Sequence, residues 1–369
     1  MKSKKNNQVI FILGMHRSGT SAMAGALSLL GMGFDPNLVE AVPNDNPNGY
    51  WEPVDVVKIN NDIFTALNMH YMDFSSFPIG WMNHDEMNLI RHRISDWFTK
   101  SLLNESLIVV KDPRLCRTLP IWVEVLEQQQ GKAKYIHVFR HPMDVVSSLR
   151  ARDDTFSIIE GLLAWLSHVL DSFVFSPPGN SVIVSYGALM DNPLLTLGVV
   201  ADNLNLEWPK DPKTMAVSLR EFLKPSLAHH HFKGKIQYSF LNRQVKLVFN
   251  YLHNYDLKSP NKEFLSRLYK YQAQFQESRY LFEDIHKINS SKLKAEKTNA
   301  AEQVGYRDSL VTALKGQLKA EKTNAAEQVG YRDSLVTALK GQLKAKNKLL
   351  GSRKDLLKLF FRPLKQGEL

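Results

Sequence analysis

Apolar residues gather along this chain in two rhythms. Short runs rich in Val and Ile, bounded by polar residues or Gly, occur at Gln8–Leu13, Ser106–Val110, Lys134–Phe139 and Ser181–Ser185. Runs of this length and make-up predict β-strands. Helical patterns lie between them at Thr20–Leu30, Leu115–Gln129, Pro142–Arg152 and Phe156–Phe175, with another at Pro53–Leu67. Strand–helix–strand alternation predicts an α/β fold: a mostly parallel sheet flanked by helices on both faces. Ligands of such sheets bind at the carboxyl ends of the strands. A last helical pattern covers Lys262–Ile288, where the globular part should stop.

Beyond it the pattern becomes a repeat. Leu293–Gln317 reads LKAEKTNAAEQVGYRDSLVTALKGQ, and Leu318–Gln342 is an identical copy. Steps of four and three place Leu293, Ala300, Val304, Val311, Leu314 and Leu318 on one stripe, interrupted by Lys297 and Arg307. The mean step is ~3.57 residues, between a left-handed coiled coil and a straight helix. Gly305, Gly316, Gly330 and Gly341 weaken any helix here by about 1 kcal/mol each. The expectation is a helical or marginal coiled-coil segment over 289–348. A cluster of Leu and Phe with flanking Lys and Arg follows over 349–369, readable as a basic amphipathic helix on an anionic membrane surface or as a helix that docks or caps. Residues 1–288 form the expected globular domain.

Charge sharpens this division. The chain carries 47 Lys+Arg against 37 Asp+Glu, a net charge of +10. Residues 289–369 hold +9 of it and the body is almost neutral. That argues against a nucleic-acid-binding body, which would show its own basic patch. The apolar run Val9–Leu13 is short for a leader's core and far short of a membrane span. The expected location is cytoplasmic, with peripheral contact at the inner face of the membrane through the tail and homo-oligomers through the coiled coil. A single cysteine, Cys116, excludes an intramolecular disulfide and a Cys-rich zinc site.

The candidate chemistry begins after the first strand. Gly14-Met15-His16-Arg17-Ser18-Gly19-Thr20-Ser21 stands between a strand and a helix, as a phosphate loop does. Its glycines let several N–H groups face inward, and the helix N-terminus adds partial positive charge. A Gly-rich turn without a ligand is the bland alternative. Nucleotide kinases place Lys after the second Gly, to bridge β- and γ-phosphates. Thr20 stands there instead, and the cation comes earlier, at Arg17. After the third strand, Arg140-His141-Pro142 opens a helix that carries Ser148 two turns on. Arg140 and the Ser148 hydroxyl could hold a second phosphate, or Arg140 could serve only as a salt-bridge partner.

Together, G-x-x-R-S-G-T-S and R-x-P-x-D-x-x-x-S resemble the sulfotransferase family, whose donor is 3′-phosphoadenosine 5′-phosphosulfate (PAPS). The resemblance spans about residues 8–235. It implies a P-loop-type fold, a 5′-phosphosulfate loop over Gly14–Ser21 and a 3′-phosphate site at Arg140 and Ser148. Ser185-Tyr186-Gly187-Ala188-Leu189-Met190-Asp191-Asn192-Pro193 resembles a family segment whose Tyr lies near the adenine, which implies that role for Tyr186. Phe232-Lys233-Gly234-Lys235 faintly resembles the family's basic loop over the cofactor. PAPS suits two anion sites and lacks the phosphate pair that a loop lysine bridges. No metal is expected, since a sulfuryl group carries less charge than a phosphoryl; His229-His230-His231 reads as a surface loop.

Sulfuryl transfer needs a base for the acceptor proton and positive charge on the moving group. Arg17 is placed for the leaving side. Glu52, in Asn48-Gly49-Tyr50-Trp51-Glu52, resembles in position the base of the family's carbohydrate branch, and Tyr50-Trp51 could line a sugar site. Its other reading is a helix-opening acid. Lys111, at the end of the second strand, resembles the family's sulfonate contact. Pro113 occupies the place of the histidine base of the small-molecule branch, so that mechanism does not transfer. Asp112 is either a base or a partner that orients Arg114, and His16 is a lesser candidate. The expected activity is sulfuryl transfer to a saccharide, small-molecule or lipid-linked hydroxyl. The alternatives are a P-loop nucleotide kinase with Asp112 on magnesium and a non-catalytic assembly protein oligomerised by its tail.

Overall fold

The computed structural model describes residues 7–42, 46–103, 105–152, 156–176, 179–223, 239–277, 279, 305–315, 338, 340–342 and 344–345; of residues 239–242 it describes the backbone only. The strands are β1 Gln8–Leu13, β2 Leu107–Lys111, β3 Lys132–Phe139 and β4 Ser181–Ser185. The helices are α1 Thr20–Leu29, α2 Val54–Ala66, α3 Glu86–Ser101, α4 Leu115–Gln128, α5 Pro142–Arg152, α6 Ile158–Val174, α7 Tyr186–Asp191, α8 Pro193–Leu204, α9 Ala216–Phe222 and α10 Ser239–Asn254. A further helix, α11, covers 262–277.

The strands form one parallel sheet in the order β2-β1-β3-β4. Side chains alternate across it, as a pleated strand requires. Val9, Phe11 and Leu13 of β1 face the layer of α2, α3 and α4. Ile10 and Ile12 face α1 and α8 on the other side. A third apolar cluster gathers Phe139 and Ile183 with α5, α6, α10 and α11. Because β2 and β3 lie on opposite sides of β1, the connections diverge there and open a crevice at the strand ends.

The elements start where capping chemistry allows. Ser157 accepts from the Glu160 N–H, and Glu160 reaches back to the Ser157 N–H, a reciprocal box that opens α6. Asn192 caps α8, with Pro193 at its first turn. Strand β3 begins earlier than its apolar run, because Lys132 N–H donates to the Asn7 carbonyl at 2.9 Å. The helix α3 was not anticipated, though Met87, Ile90, Ile94, Trp97 and Phe98 carry its buried face at helical spacing.

A buried ion network secures the segment before α3. Arg117 on α4 pairs with Asp171 on α6 at 3.2 Å and donates to the Asp73 and Ser75 carbonyls. Arg279 pairs with the same carboxylate at 3.4 Å. Burial pushes Arg117 down to about 10, still well above neutrality.

The chain divides into two units, Met1–Asp284 and Ile285–Leu369. In the second, a helix over 305–315 half-buries Arg307, Leu310, Val311 and Leu314, adding Leu310 to the expected stripe. The remainder of the two repeats, apart from a few residues near 340, lies outside the described residues, as does all of 349–369. Among the described residues no helix is long and apolar enough to cross a membrane.

Two core histidines give the domain an acid sensitivity. His137 on β3 is held between the Ser172 and Ser176 hydroxyls and stacks on Phe173 at 3.9 Å. His168 hydrogen-bonds through Nδ1 to the Ala164 carbonyl. Burial pushes His137 down to about 3 and, with help from the Arg117 charge, His168 to about 4. Both are neutral in the folded protein where the unfolded chain, near 6.5, already binds protons. Stability is therefore full above about pH 6.5 and falls as pH drops toward 4, by about 1.4 kcal/mol per unit for each histidine. Urea unfolding at pH 7 and pH 5 should show the midpoint falling, with part of the slope removed in His137→Gln.

Candidate active site

The loop after β1 is shaped by two glycines. Gly14 has φ 153°, and a Cβ there would lie 2.2 Å from the Val138 carbonyl oxygen. The loop thus crosses directly over β3, and Gly14 N–H donates to the buried Cys116 Sγ at 3.0 Å. Gly19 has φ 96°, and a Cβ there would lie 2.3 Å from the Tyr186 ring. Between them Arg17 is also left-handed, at φ 68°, an unfavourable conformation for a side chain of its size. Ser18 and Thr20 are buried beneath the loop. Ser18 Oγ has no hydrogen-bond partner among the described residues.

The second motif meets this loop. Arg17 Nε donates to Ser148 Oγ at 2.8 Å, across a separation of 131 residues. Arg140 donates to the Arg17 carbonyl at 3.5 Å, pairs with Asp144 at 3.6 Å and lies 4.8 Å over the Tyr186 ring. Gly19, Tyr186 and Arg140 therefore form a stack at the ends of β1, β3 and β4. Burial lowers the pKa of Arg140 and raises that of Tyr186, the latter opposed by the two nearby arginines.

The third part is a buried ion pair at the end of β2. Lys111 Nζ donates to Glu52 Oε1 at 2.7 Å, to the Tyr50 carbonyl at 3.0 Å and to Ser21 Oγ at 3.2 Å. All three ammonium protons have acceptors. Lys111 is 2% exposed and Glu52 7%. Arg114 Nη1 lies 3.8 Å from Glu52 Oε2. Glu52 is not a helix cap: it precedes α2 by two residues, and its backbone carbonyl accepts from Val39 N–H.

A cavity of about 630 Å³ joins these parts. Arg17, Ser21, Glu52, Lys111, Arg140 and Tyr186 all line it, with His16, Gly19, Thr20 and Ser148. Gly14 and Ser18 shape the loop from behind. Two expectations change. Asp112 is fully buried and outside the cavity lining; Oδ1 accepts from the Arg114 N–H and guanidinium, and Oδ2 from Asn60 at 2.8 Å. Both of its carboxylate oxygens are thus engaged by Arg114 and Asn60, the geometry of the orienting reading. Trp51 turns away at φ 61°, donates to the Asn48 carbonyl and packs on Phe34, so only Tyr50 of the aromatic pair lines the cavity. His16 keeps its place in the lining; its ring tilts against Tyr71 at 5.0 Å, and burial, with the Arg114 charge, holds its pKa well below 6.5.

Sequence reading missed Asn60, Asn46 and Arg152 as parts of or neighbours to the site, and named Arg114 only as a partner of Asp112. Asn60 carried a usable signal: a polar residue on the apolar face of α2, beside Ile59 and Ile63. The others carried none, because surface loops and helix ends hold such residues everywhere. His229-His230-His231 and Phe232-Lys233-Gly234-Lys235 lie outside the described residues.

Two solved structures resemble the chain distantly. One is the sulfotransferase domain of the Synechococcus PCC 7002 olefin synthase, with 18% identity, covering 68% of this chain and 97% of that one at a TM-score of 0.37. The other is retinol dehydratase in complex with androsterone and the inactive cofactor PAP, with 14% identity, covering 72% and 80% at a TM-score of 0.29. No curated protein matches the chain. The sequence model of the sulfotransferase family matches residues 9–210, more than half of the chain, and contains the loop, Glu52, Lys111, Arg140, Ser148 and Tyr186. This protein belongs to the sulfotransferase family of enzymes.

Proposed function

We propose that this enzyme takes a sulfuryl group from PAPS and passes it to a hydroxyl of a saccharide or lipid-linked acceptor. The observation that carries the reading is the 2.8 Å bond from Arg17 to Ser148, which sets two anion-binding motifs side by side at one strand edge. PAPS has two separate anionic ends and suits that arrangement. The residues fit it in detail: the buried Ser18 hydroxyl lacks a partner among the described residues, and the Gly19 position leaves room only for backbone against Tyr186. Gly14–Ser21 would hold the phosphosulfate, Arg140 and Ser148 the 3′-phosphate, and Tyr186 the adenine. When bound, PAPS supplies the activated sulfuryl group.

The chain's own groups supply the rest. Arg17 and the loop N–H groups neutralise charge on the leaving side, and the α1 N-terminus adds to them. Lys111 brings the ammonium nearest to the acceptor side of the loop. Glu52 accepts the acceptor's hydroxyl proton, through a carboxylate already beside the cavity. Asn46, Asn48 and Tyr50 line the wall next to it and offer hydrogen bonds to a hydroxyl-rich acceptor. The tail is assigned to location and assembly, not chemistry: basic segment 349–369 to an anionic membrane face in the cytoplasm, and the repeats to self-association.

Calorimetric titration with adenosine 3′,5′-bisphosphate in EDTA tests the donor site. Saturable binding is expected, weakened at least about tenfold in Arg17→Ala and Arg140→Ala, since each removes a charge-assisted contact. No binding in EDTA, with ATP binding once magnesium is present, would move the protein to the kinases. Glu52→Gln should bind the bisphosphate normally and lose about 100- to 10,000-fold in turnover; normal turnover removes Glu52 from the base role. Deleting residues 290–369 should leave bisphosphate affinity unchanged, and loss of binding there would show that the tail belongs to the donor site.

A further inference from the structure

Glu52 has a second cation besides Lys111, and a buried chain of hydrogen bonds leads back from it. Asn60 on α2 is fully buried. Its Oδ1 accepts from Trp122 Nε1 at 2.8 Å and from Thr118 Oγ1 at 2.8 Å. An indole N–H is a donor only, so the amide oxygen must face Trp122 and the amide nitrogen must face Asp112. That nitrogen donates to Asp112 Oδ2 at 2.8 Å. Asp112 Oδ1 then accepts the Arg114 N–H and Nη1, each at 3.0 Å. The Arg114 guanidinium lies 4.6 Å over the Tyr71 ring, and Nη1 stands 3.8 Å from Glu52 Oε2.

Every member of this chain has its orientation determined by the one before it. Asn60 and Asp112 have all their partners, and a satisfied buried network is rigid; Arg114 is tied to it through its N–H and Nη1, while its buried Nε has no partner among the described residues. Lys111 differs in kind. It lines the cavity and reaches Glu52 from the open side. Arg114 is outside the cavity lining and reaches Glu52 from the protein side. In turnover the Lys111 ammonium has to serve the moving sulfonate as well as Glu52. A carboxylate held by that ammonium alone would lose its place at the moment its proton transfer is required.

We propose that Arg114 is the positioning residue that holds Glu52 oriented toward the acceptor, and that Asn60, acting through Asp112, aims Arg114. The assignment rests on Glu52 being the base. Arg114 touches neither donor nor acceptor; it acts through the carboxylate.

The test is steady-state kinetics over a range of pH on Arg114→Gln, Arg114→Lys and Asn60→Ser, each alone and combined with Glu52→Gln. Adenosine 3′,5′-bisphosphate titration of every variant reports whether the donor site is intact. Arg114→Gln is expected to keep bisphosphate affinity and lose about 10- to 100-fold in kcat, the cost of misplacing a reacting group by about an ångström. Losing a cation beside a carboxylate should also move the acid limb of the pH–rate profile upward, by about one unit. Arg114→Lys keeps the charge but not the fork, so it should restore the limb without restoring kcat. Asn60→Ser should show the same kcat loss in weaker form. In the Glu52→Gln background none of them should reduce turnover further. An unchanged kcat and acid limb in Arg114→Gln, with Glu52→Gln inactive, would overturn the role of Arg114 and leave Glu52 as base. Equal further losses in the Glu52→Gln background, or lost bisphosphate binding in both Arg114 variants, would make Arg114 a general structural residue and overturn it too. Full turnover in Glu52→Gln would overturn the base assignment itself.

Discussion

Everything at the site hangs on the parallel pairing of β1 between β2 and β3. Ile12 pairs with Lys111 on one side and with Ile136 on the other. Parallel strands all finish at the same edge, so the loops that follow them emerge together. The phosphate loop, Lys111, Arg140 and Tyr186 reach one crevice for that reason alone. A one-residue slip of β2 would turn Lys111 to the opposite face of the sheet, because strand side chains alternate with a period of two. The slip would also exchange Ile108 and Val110, buried with α2–α4, for Val109, buried on the α1 and α8 face, and so repack both layers against β2. Hydrophobic burial thus fixes the register, and register places the charges.

Those charges are held at a cost that stability alone does not justify. Lys111 and Glu52 are both buried, and buried ion pairs commonly return little more than their desolvation. The structure limits the cost by satisfying Lys111 itself and the polar groups behind the pair. Lys111 has three acceptors, Asp112 three donors and Asn60 three partners. A separate buried network, Arg117 and Arg279 on Asp171, ties down the segment that presents Tyr71 to Arg114 and His16 through the Asp73 and Ser75 carbonyls. Charge is thereby kept in a low-dielectric place without reorganising when a reacting group arrives, the arrangement that makes electrostatic stabilisation effective.

Much of this was legible in the chain. Short Val- and Ile-rich runs and the helical patterns between them were enough for the parallel sheet, because burial on both faces leaves a strong periodic trace. The loop Gly14–Ser21 was legible because a strand-to-helix turn with inward N–H groups demands glycines at such spacings, whereas Arg140, Ser148 and Tyr186 came forward through the resemblance of their motifs to the family's. The base was narrowed less well. Glu52 and Asp112 look alike as sequence, each a carboxylate near a strand or helix end. Only their surroundings separate them: one opens on the cavity, and the other is consumed by Asn60 and Arg114.

What the sequence by itself determined was local: which segments are strands and helices, where the loop must turn, and that two motifs of the family's kind follow β1 and β3. Periodicity, glycine placement and capping are properties of neighbours along the chain, so they survive in one dimension. The tertiary structure decided the pairings: Arg17 with Ser148, Lys111 with Glu52, and Asn60 through Asp112 to Arg114. These partners lie up to 131 residues apart, and nothing in either residue's own neighbourhood names the other. They meet because the sheet order and the helix packing bring them together, and that packing is a property of the whole folded domain.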